Sequence, residues 1–273
     1  MASSKKGIAR QSGPAKAKID WPRRLETAAI AIPTLVGVIL YSGELTAIFA
    51  VLATCVGYRE VATLIGYDLH VLNYLFFYAL YHFSLHPLVI FTGSVFNVFL
   101  PLLSQGPALG IRNGLINLFY TQCFAVPIMH VPLLRSLPGN GPFVLLVWVL
   151  LTFASDAGAL VAGSAFGANL CCPAISPKKT WEGLLGAFVA AEAAALAFFA
   201  ASFEPSISLR DYVVMGAMAA VLGMIGDLME SGFKRFVAAK DASNLLPGHG
   251  GLLDRLDALA ACAPAFYYYW KGW

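Results

Sequence analysis

Residues 69–111 read LHVLNYLFFYALYHFSLHPLVIFTGSVFNVFLPLLSQGPALGI, 43 positions without one Asp, Glu, Lys or Arg. The runs 113–134 and 258–270 are also free of all four. An apolar stretch of about 18 or more residues crosses roughly 30 Å of hydrocarbon as a helix. Spanning strands would be shorter and would alternate in polarity, and no such alternation is visible. The remaining composition agrees: 59% of the 273 residues are hydrophobic and 12% charged, with mean hydropathy +0.71. Soluble domains carry about a quarter charged residues. The fold class is all-α, a polytopic helical membrane protein.

Working outward from 69–111, the spans are predicted at 25–43, 45–66, 68–84, 86–104, 113–135, 143–166, 182–203, 210–235 and 251–270. Gly43, Gly66–Asp68, Gly106-Pro107, Pro138–Pro142, Pro173–Pro177, Glu204-Pro205 and Pro247-Gly248 mark most of the breaks. The stretch 68–104 reads either as two short helices broken near His86-Pro87 or as one helix plus a re-entrant piece. Charge chooses the number of spans. A basic tail with Lys5, Lys6, Arg10, Lys16, Lys18, Arg23 and Arg24, opposed by Asp20, precedes the first span. Cytoplasmic segments are enriched in Lys and Arg. Nine spans put that tail on the same side as Lys178/Lys179 and Lys234/Arg235/Lys240, whereas eight do not. Nine is therefore the reading, with the site facing the cytoplasmic side.

The tail is first a solvated orientation signal, and second a surface for anionic lipid headgroups. It lacks the apolar core of a secretory signal, and its Ser/Ala/Lys-rich, acid-poor composition leaves a short transit peptide open. The organisation read is a tail over 1–24, N-terminal helices over 25–135 and catalytic helices over 136–273, as one membrane unit. Cys55, Cys123, Cys171, Cys172 and Cys262 contain no CxxC pair and read as small apolar side chains, not disulfides.

Ionisable groups within spans are costly and by default mark a site. They cluster late in the chain: Asp156, Asp227, Glu230, Asp254, Arg255 and Asp257. Asp254 and Asp257 share one helical face, and Asp227, Glu230 and Ser231 share another. Two such faces joined by one loop make an oxygen-rich pocket suited to Mg²⁺, and the extra carboxylates leave room for a second cation. Between them lie Lys234-Arg235, Lys240-Asp241 and Pro247-Gly-His249-Gly250-Gly251. Glycines at a helix start let backbone N–H groups approach phosphate, and Lys and Arg add positive charge. Singly, these are a positive-inside loop, a turn and an ion pair. Together they read as phosphoryl or nucleotidyl transfer. Ser176-Pro-Lys178-Lys179-Thr180-Trp-Glu182-Gly183 forms a second basic site, with Thr180 or Glu182 as helix cap.

The segment Ser231–Asp257, SGFKRFVAAKDASNLLPGHGGLLDRLD, resembles the signature of phosphatidate cytidylyltransferases. Its pattern, S-x-[apolar]-K-R-x4-K-D then H-G-G-[apolar]-x-D-R-[apolar]-D, is met at every constrained position. Ser176–Gly183 resembles the family's S-P-K-K-T-W-E-G stretch, and Asp156 resembles an earlier intramembrane aspartate motif, with Leu160 departing from an expected aromatic. Arg59-Glu60 loosely resembles a Glu-containing second span. The resemblance implies CTP and phosphatidic acid as substrates, CDP-diacylglycerol and pyrophosphate as products, and a divalent metal held by Asp227 and Asp254. Beside it, the charges and spacing lead us to expect catalytic roles for Lys234, Arg235, His249 and Asp257 with Asp227 and Asp254, His249 also reading as an orienter of the loop and Asp257 as a partner of Arg255. Substrate binding is expected of Asp156, Ser176, Lys178, Lys179, Lys240, Asp241, Gly250, Gly251 and Arg255. The partners implied are these substrates and membrane lipids, with a homodimer left open and no nucleic acid.

Rival readings are a CTP-dependent lipid kinase and a transporter. The charges gather at one side of one half, without the paired repeats many transporters show. His82 and His86 have metal-pair spacing but no nearby acid or Cys, so they read as packing residues. Tyr267–Trp270 and Trp273 read as an interfacial belt rather than a base-stacking platform.

Overall fold

The structure, a computed structural model, describes residues 21–67, 71–239, 241–243, 245 and 250–272. The tail through Asp20, the side chains of Arg23 and Arg24, and Asp68, Lys240, Pro247, Gly248, His249 and Trp273 lie outside that description.

Nine helical rods follow one another among the described residues. They are α1 (Trp21–Tyr41), α2 (Gly43–Ile65), α3 (Val71–His82), α4 (Pro87–Gln105), α5 (Pro107–Arg135), α6 (Gly141–Phe166), α7 (Trp181–Ala200), α8 (Leu209–Phe236) and α9 (Leu253–Lys271). Six of them, α2 and α4 through α8, are long and apolar enough to cross a membrane. Large apolar side chains such as Phe91, Leu103 and Leu185 point outward from these rods, as expected where the solvent is hydrocarbon. This is a multi-pass membrane protein. The count of nine crossings is a different matter. α3 has 12 residues, about 18 Å at 1.5 Å rise, too short for a full crossing. α9 carries Asp254, Arg255 and Asp257 in its first turns.

Local chemistry sets the boundaries. Ser42 caps α2 by accepting from the Glu44 and Leu45 N–H groups at 3.1 and 3.4 Å. Gly66 ends that helix in the left-handed region at φ 64°, where a side chain would be strained. Within the stretch 68–104 the described residues form two helices, broken near His86-Pro87. Their break spans Phe83–His86, and the His86 ring accepts from the Leu88 N–H ahead of Pro87. α5 begins six residues before its predicted start, directly after the Gly106-Pro107 turn. Its middle widens into a π turn at Thr121–Ala125, just before Pro127. Proline supplies no N–H and its ring collides with the carbonyl four residues back, so a local widening there is expected.

The connection before α7 folds as a two-stranded antiparallel hairpin, β1 (Leu170–Cys172) and β2 (Ser176–Thr180), which the sequence reading did not foresee. Thr180 then caps α7 by accepting from Gly183 N–H at 3.1 Å. Glu182 turns back instead, accepting from Asn169 Nδ2 at 2.6 Å and from the Ala168 and Asn169 N–H groups at 3.2 Å. The hairpin is thereby pinned to the start of α7.

Two apolar clusters hold the rods together. One surrounds Trp148 and draws on α1, α5, α6, α7, α8 and α9. The other surrounds Tyr58, Phe77, Tyr120 and Phe124 and joins α2, α3, α5, α8 and α9. α5, α8 and α9 belong to both, so the helices bearing Asp227, Asp254 and Asp257 lie at the seam between the clusters. α6 and α7 meet backbone to backbone: a Cβ on Gly158 would lie 2.4 Å from the Gly186 carbonyl oxygen, and one on Gly186 would lie 2.2 Å from Ala162 Cβ. Small residues permit such close approach in lipid. Gly186→Leu is therefore expected to destabilise the purified protein by at least about 1–3 kcal/mol, seen as a lower melting temperature in detergent. Gly37→Ala, in the interior of α1 where nothing lies within 4 Å, should not lower the melting temperature.

Candidate active site

α8 and α9 run antiparallel across their shared loop, so the C-terminal turns of one lie beside the N-terminal turns of the other. They touch at Gly226, where an added Cβ would sit 2.3 Å from the Asp257 carbonyl oxygen. Nearer the loop the side chains engage. Lys234 Nζ lies 2.7 Å from Glu230 Oε2 and 2.6 Å from Asp254 Oδ1. All three side chains are largely buried, at 12%, 2% and 8% exposure. Two buried carboxyl groups thus share one ammonium.

Asp254 does more than pair with Lys234. Its Oδ2 accepts the Gly251 N–H at 2.7 Å and the Ala242 N–H at 3.0 Å. Gly250 precedes this turn at φ 82°, and a Cβ there would meet Asp254 Oδ2 at 2.8 Å. The next two amides, of Leu252 and Leu253, each donate to Glu60 of α2 at 2.9 Å. The N-terminus of α9, expected to offer its amides to phosphate, has those of Gly251, Leu252 and Leu253 engaged by carboxylates in this structure.

The hairpin brings the second basic site onto α8, where Lys179 forms an ion pair with Asp227. A cleft of about 410 Å³, open solvent at its mouth included, lies between the hairpin and α6, α7 and α8. Asp156, Lys178, Lys179, Thr180 and Asp227 line it, over a floor of small residues such as Gly163 and Gly183. Burial lowers the Lys179 pKa below the usual lysine value, and the charges of Asp257 and Asp156 oppose that shift. Lys179 thus couples the two carboxylates on α6 and α9 to the one on α8.

The expected residues separate into groups. Asp156, Lys178, Lys179 and Asp227 share the cleft, and Lys234, Asp254 and Gly251 share the adjoining network with Glu230. Asp257 is buried, and its Oδ1 accepts the Ala258 N–H at 2.9 Å. Arg255 is exposed on α9, and its charge acts on both Asp156 and Asp257. Arg235 points elsewhere, donating from Nη1 to the Ala239 carbonyl at 3.2 Å and so closing the end of α8. Ser176 pairs with Cys172 at the far end of β2 from Lys179, and Asp241 is exposed. Lys240 and His249 lie outside the described residues.

Among the described residues no three His, Cys, Asp or Glu side chains converge as a ready cage. The donor chemistry nevertheless fits Mg²⁺, which takes one or two carboxylates and completes its shell with substrate phosphates and water. Asp227 and Asp254 each hold a lysine ammonium, a cation already at each carboxylate. Beside Asp254, Glu230 Oε1 is buried with no hydrogen-bond partner, an acceptor that a further cation would satisfy.

Two carboxylates escaped the site reading. Glu60 interrupts the second apolar run and accepts from Ser243 Oγ at 2.5 Å as well as from the two α9 amides. Glu192 lies within α7 against Gly216 of α8. Applying the cost of intramembrane charge to every span, rather than to the late cluster alone, finds both.

Residues 22–273 match the description "Cytidylyltransferase family". Among curated relatives, the phosphatidate cytidylyltransferase of Haemophilus influenzae is 35% identical over 168 residues, 58% of each chain. That of Pseudomonas aeruginosa is 37% identical over 134 residues, 49% of each. The Brucella suis protein of the same name is 38% identical over 139 residues, 50% of this chain and 51% of its own. The chain spans about half the length of the curated relatives it matches.

Proposed function

Because this chain belongs to the cytidylyltransferase family, we propose that it joins CTP to phosphatidic acid, releasing pyrophosphate and leaving CDP-diacylglycerol in the membrane. The observation that carries this reading is the meeting of two lysine–carboxylate networks, Lys179–Asp227 and Lys234–Glu230–Asp254, at the loop end of α8. The names of the matched relatives point the same way.

A phosphate oxygen of phosphatidic acid attacks the α-phosphorus of CTP, and the bond from that phosphorus to the β-bridging oxygen breaks. The nucleophile is already anionic near neutral pH, so no strong general base is required. Charge accumulates on the departing pyrophosphate, which makes catalysis a matter of placement and electrostatics. Lys178 and Lys179 at the cleft and Lys234 beside it supply positive charge to the phosphates. Asp156 and Asp257 hold Lys179 charged against its burial. A divalent cation such as Mg²⁺, with Asp227 and Asp254 as its protein oxygens, would supply Lewis-acid stabilisation of the phosphate oxygens. The site is read as facing the cytoplasmic side, because Lys178, Lys179 and Lys234 border it and cytoplasmic segments are enriched in Lys and Arg.

The test is purified protein in detergent with phosphatidic acid, Mg²⁺ and CTP labelled at either the α or the γ phosphate. The α label should enter lipid and the γ label should not. Lipid labelled from the γ phosphate would make the protein a CTP-dependent lipid kinase, and no labelled lipid from either would reject both. Lys178→Ala should raise the CTP or phosphatidate concentration for half-maximal rate about tenfold, the equivalent of one charge-assisted hydrogen bond of ~1.5 kcal/mol. An unchanged dependence on both substrates would remove Lys178 from the site.

A further inference from the structure

We propose that Glu60 is a positioning residue for the transfer reaction: a carboxylate carried by α2 that ties the middle of the α8–α9 connection to the start of α9, and so positions Asp254 and, through it, Lys234. The proposal deepens the cytidylyl-transfer reading and rests on it for its kinetic test.

Glu60 is 6% exposed within a helix long enough to cross the membrane. Burying a carboxylate there is costly unless its oxygens are fully used. They are used at one place. Oε1 accepts from Ser243 Oγ at 2.5 Å and from Leu252 N–H at 2.9 Å, and Oε2 accepts from Leu253 N–H at 2.9 Å. The partners lie 183 to 193 residues away in sequence, on both sides of the undescribed part of the connection.

α9 needs this carboxylate because it has no cap of its own. Its N-cap position is Leu252, which makes no side-chain capping bond. A helix start leaves its first amides without intrahelical partners. Here Glu60 takes two of them, and Asp254 takes the Gly251 amide preceding them. An ordinary cap needs only a local Ser, Thr or Asp. A carboxylate delivered from α2 does something a local cap does not: it ties the rotation of α9, and so the direction of Asp254, to the N-terminal cluster around Tyr58.

Gly251 is part of the same fit. A Cβ there would lie 2.8 and 2.9 Å from the two Glu60 oxygens. Gly251→Ala therefore disturbs the contact without altering the carboxylate, which gives an independent test.

The experiment compares wild type with Glu60→Ala, Glu60→Gln and Gly251→Ala in detergent. It measures hydrogen exchange of the peptide containing 252 and 253, melting temperature, and steady-state transfer of α-label from CTP. Glu60→Ala should accelerate exchange in that peptide and lower kcat about 10–100-fold, the range for groups that orient a ligand shell. KM for CTP should stay within about threefold, since the residue does not touch substrate. Glu60→Gln, which keeps one acceptor oxygen, should recover part of kcat, and Gly251→Ala should resemble Glu60→Ala. Unchanged exchange at 252–253 would overturn the proposal. So would a kcat loss that only follows loss of folded protein, with Gln no better than Ala. If wild type itself transfers no α-label, the functional reading fails. Exchange alone then decides whether Glu60 holds the connection.

Discussion

Asp227→Asn is expected to cut transfer of α-label from CTP into lipid by about 10²–10³-fold, the loss typical when one preorganised electrostatic group is removed. The substitution keeps the shape of the side chain and removes its charge. That charge is the partner of Lys179, whose ammonium sits among Asp156, Asp257 and Glu230 as well. Lys179 keeps enough negative neighbours to remain in place, so folding should survive. Asp227 is about a quarter exposed, and its loss leaves no deeply buried charge stranded. The protein should therefore insert, purify and melt near the wild-type temperature while turnover collapses. Asp254→Asn should also lose turnover, but with a lower melting temperature, because Asp254 additionally accepts two backbone amides. Full metal-dependent activity in both variants would reject the proposed cation site.

Lys234→Met should be the most disruptive single change in the site. It leaves Glu230 and Asp254 facing each other without their shared counter-ion, at 2% and 8% exposure. Removing one partner of a buried pair typically costs about 3–5 kcal/mol. Thermal or denaturant unfolding in detergent should show that loss. Transfer should also fall about 100-fold or more in whatever fraction stays folded, because a positive charge near the phosphates is gone. Adding Glu230→Gln separates the two effects. The double variant removes the like-charge pair and should regain much of the stability, while activity stays low. A double variant that recovers turnover together with melting temperature would show that Lys234 serves only the fold.

The helices were readable because their causes are local. Ser42, Gly66, Pro87, Gly106-Pro107 and Thr180 sit where the rods start or stop, and each acts within a few residues of itself. The start of α5 was placed six residues late because Arg112 interrupts the apolar run, although the helix continues through it to the Gly106-Pro107 turn. The hairpin was missed for a related reason. Its strands are short, and its register depends on Glu182 reaching back to Asn169 rather than on any alternation in the sequence. Arg235 shows the opposite limit: it belongs to the most specific motif in the chain, yet its side chain closes the end of α8.

Sequence alone determined that this chain is a bundle of apolar helices with its candidate site residues concentrated at two connections in its second half. Hydrocarbon offers the backbone no partners, so each apolar run must satisfy its own N–H and C=O groups as a helix. Which carboxylate meets which amine was decided only by packing. Lys179 reaches Asp227 across 48 residues, and Glu60 reaches the α9 amides across 192 and 193. Those meetings depend on the rotation of each helix about its axis and on where glycines let backbones touch. Both are properties of the assembled bundle that no local stretch encodes.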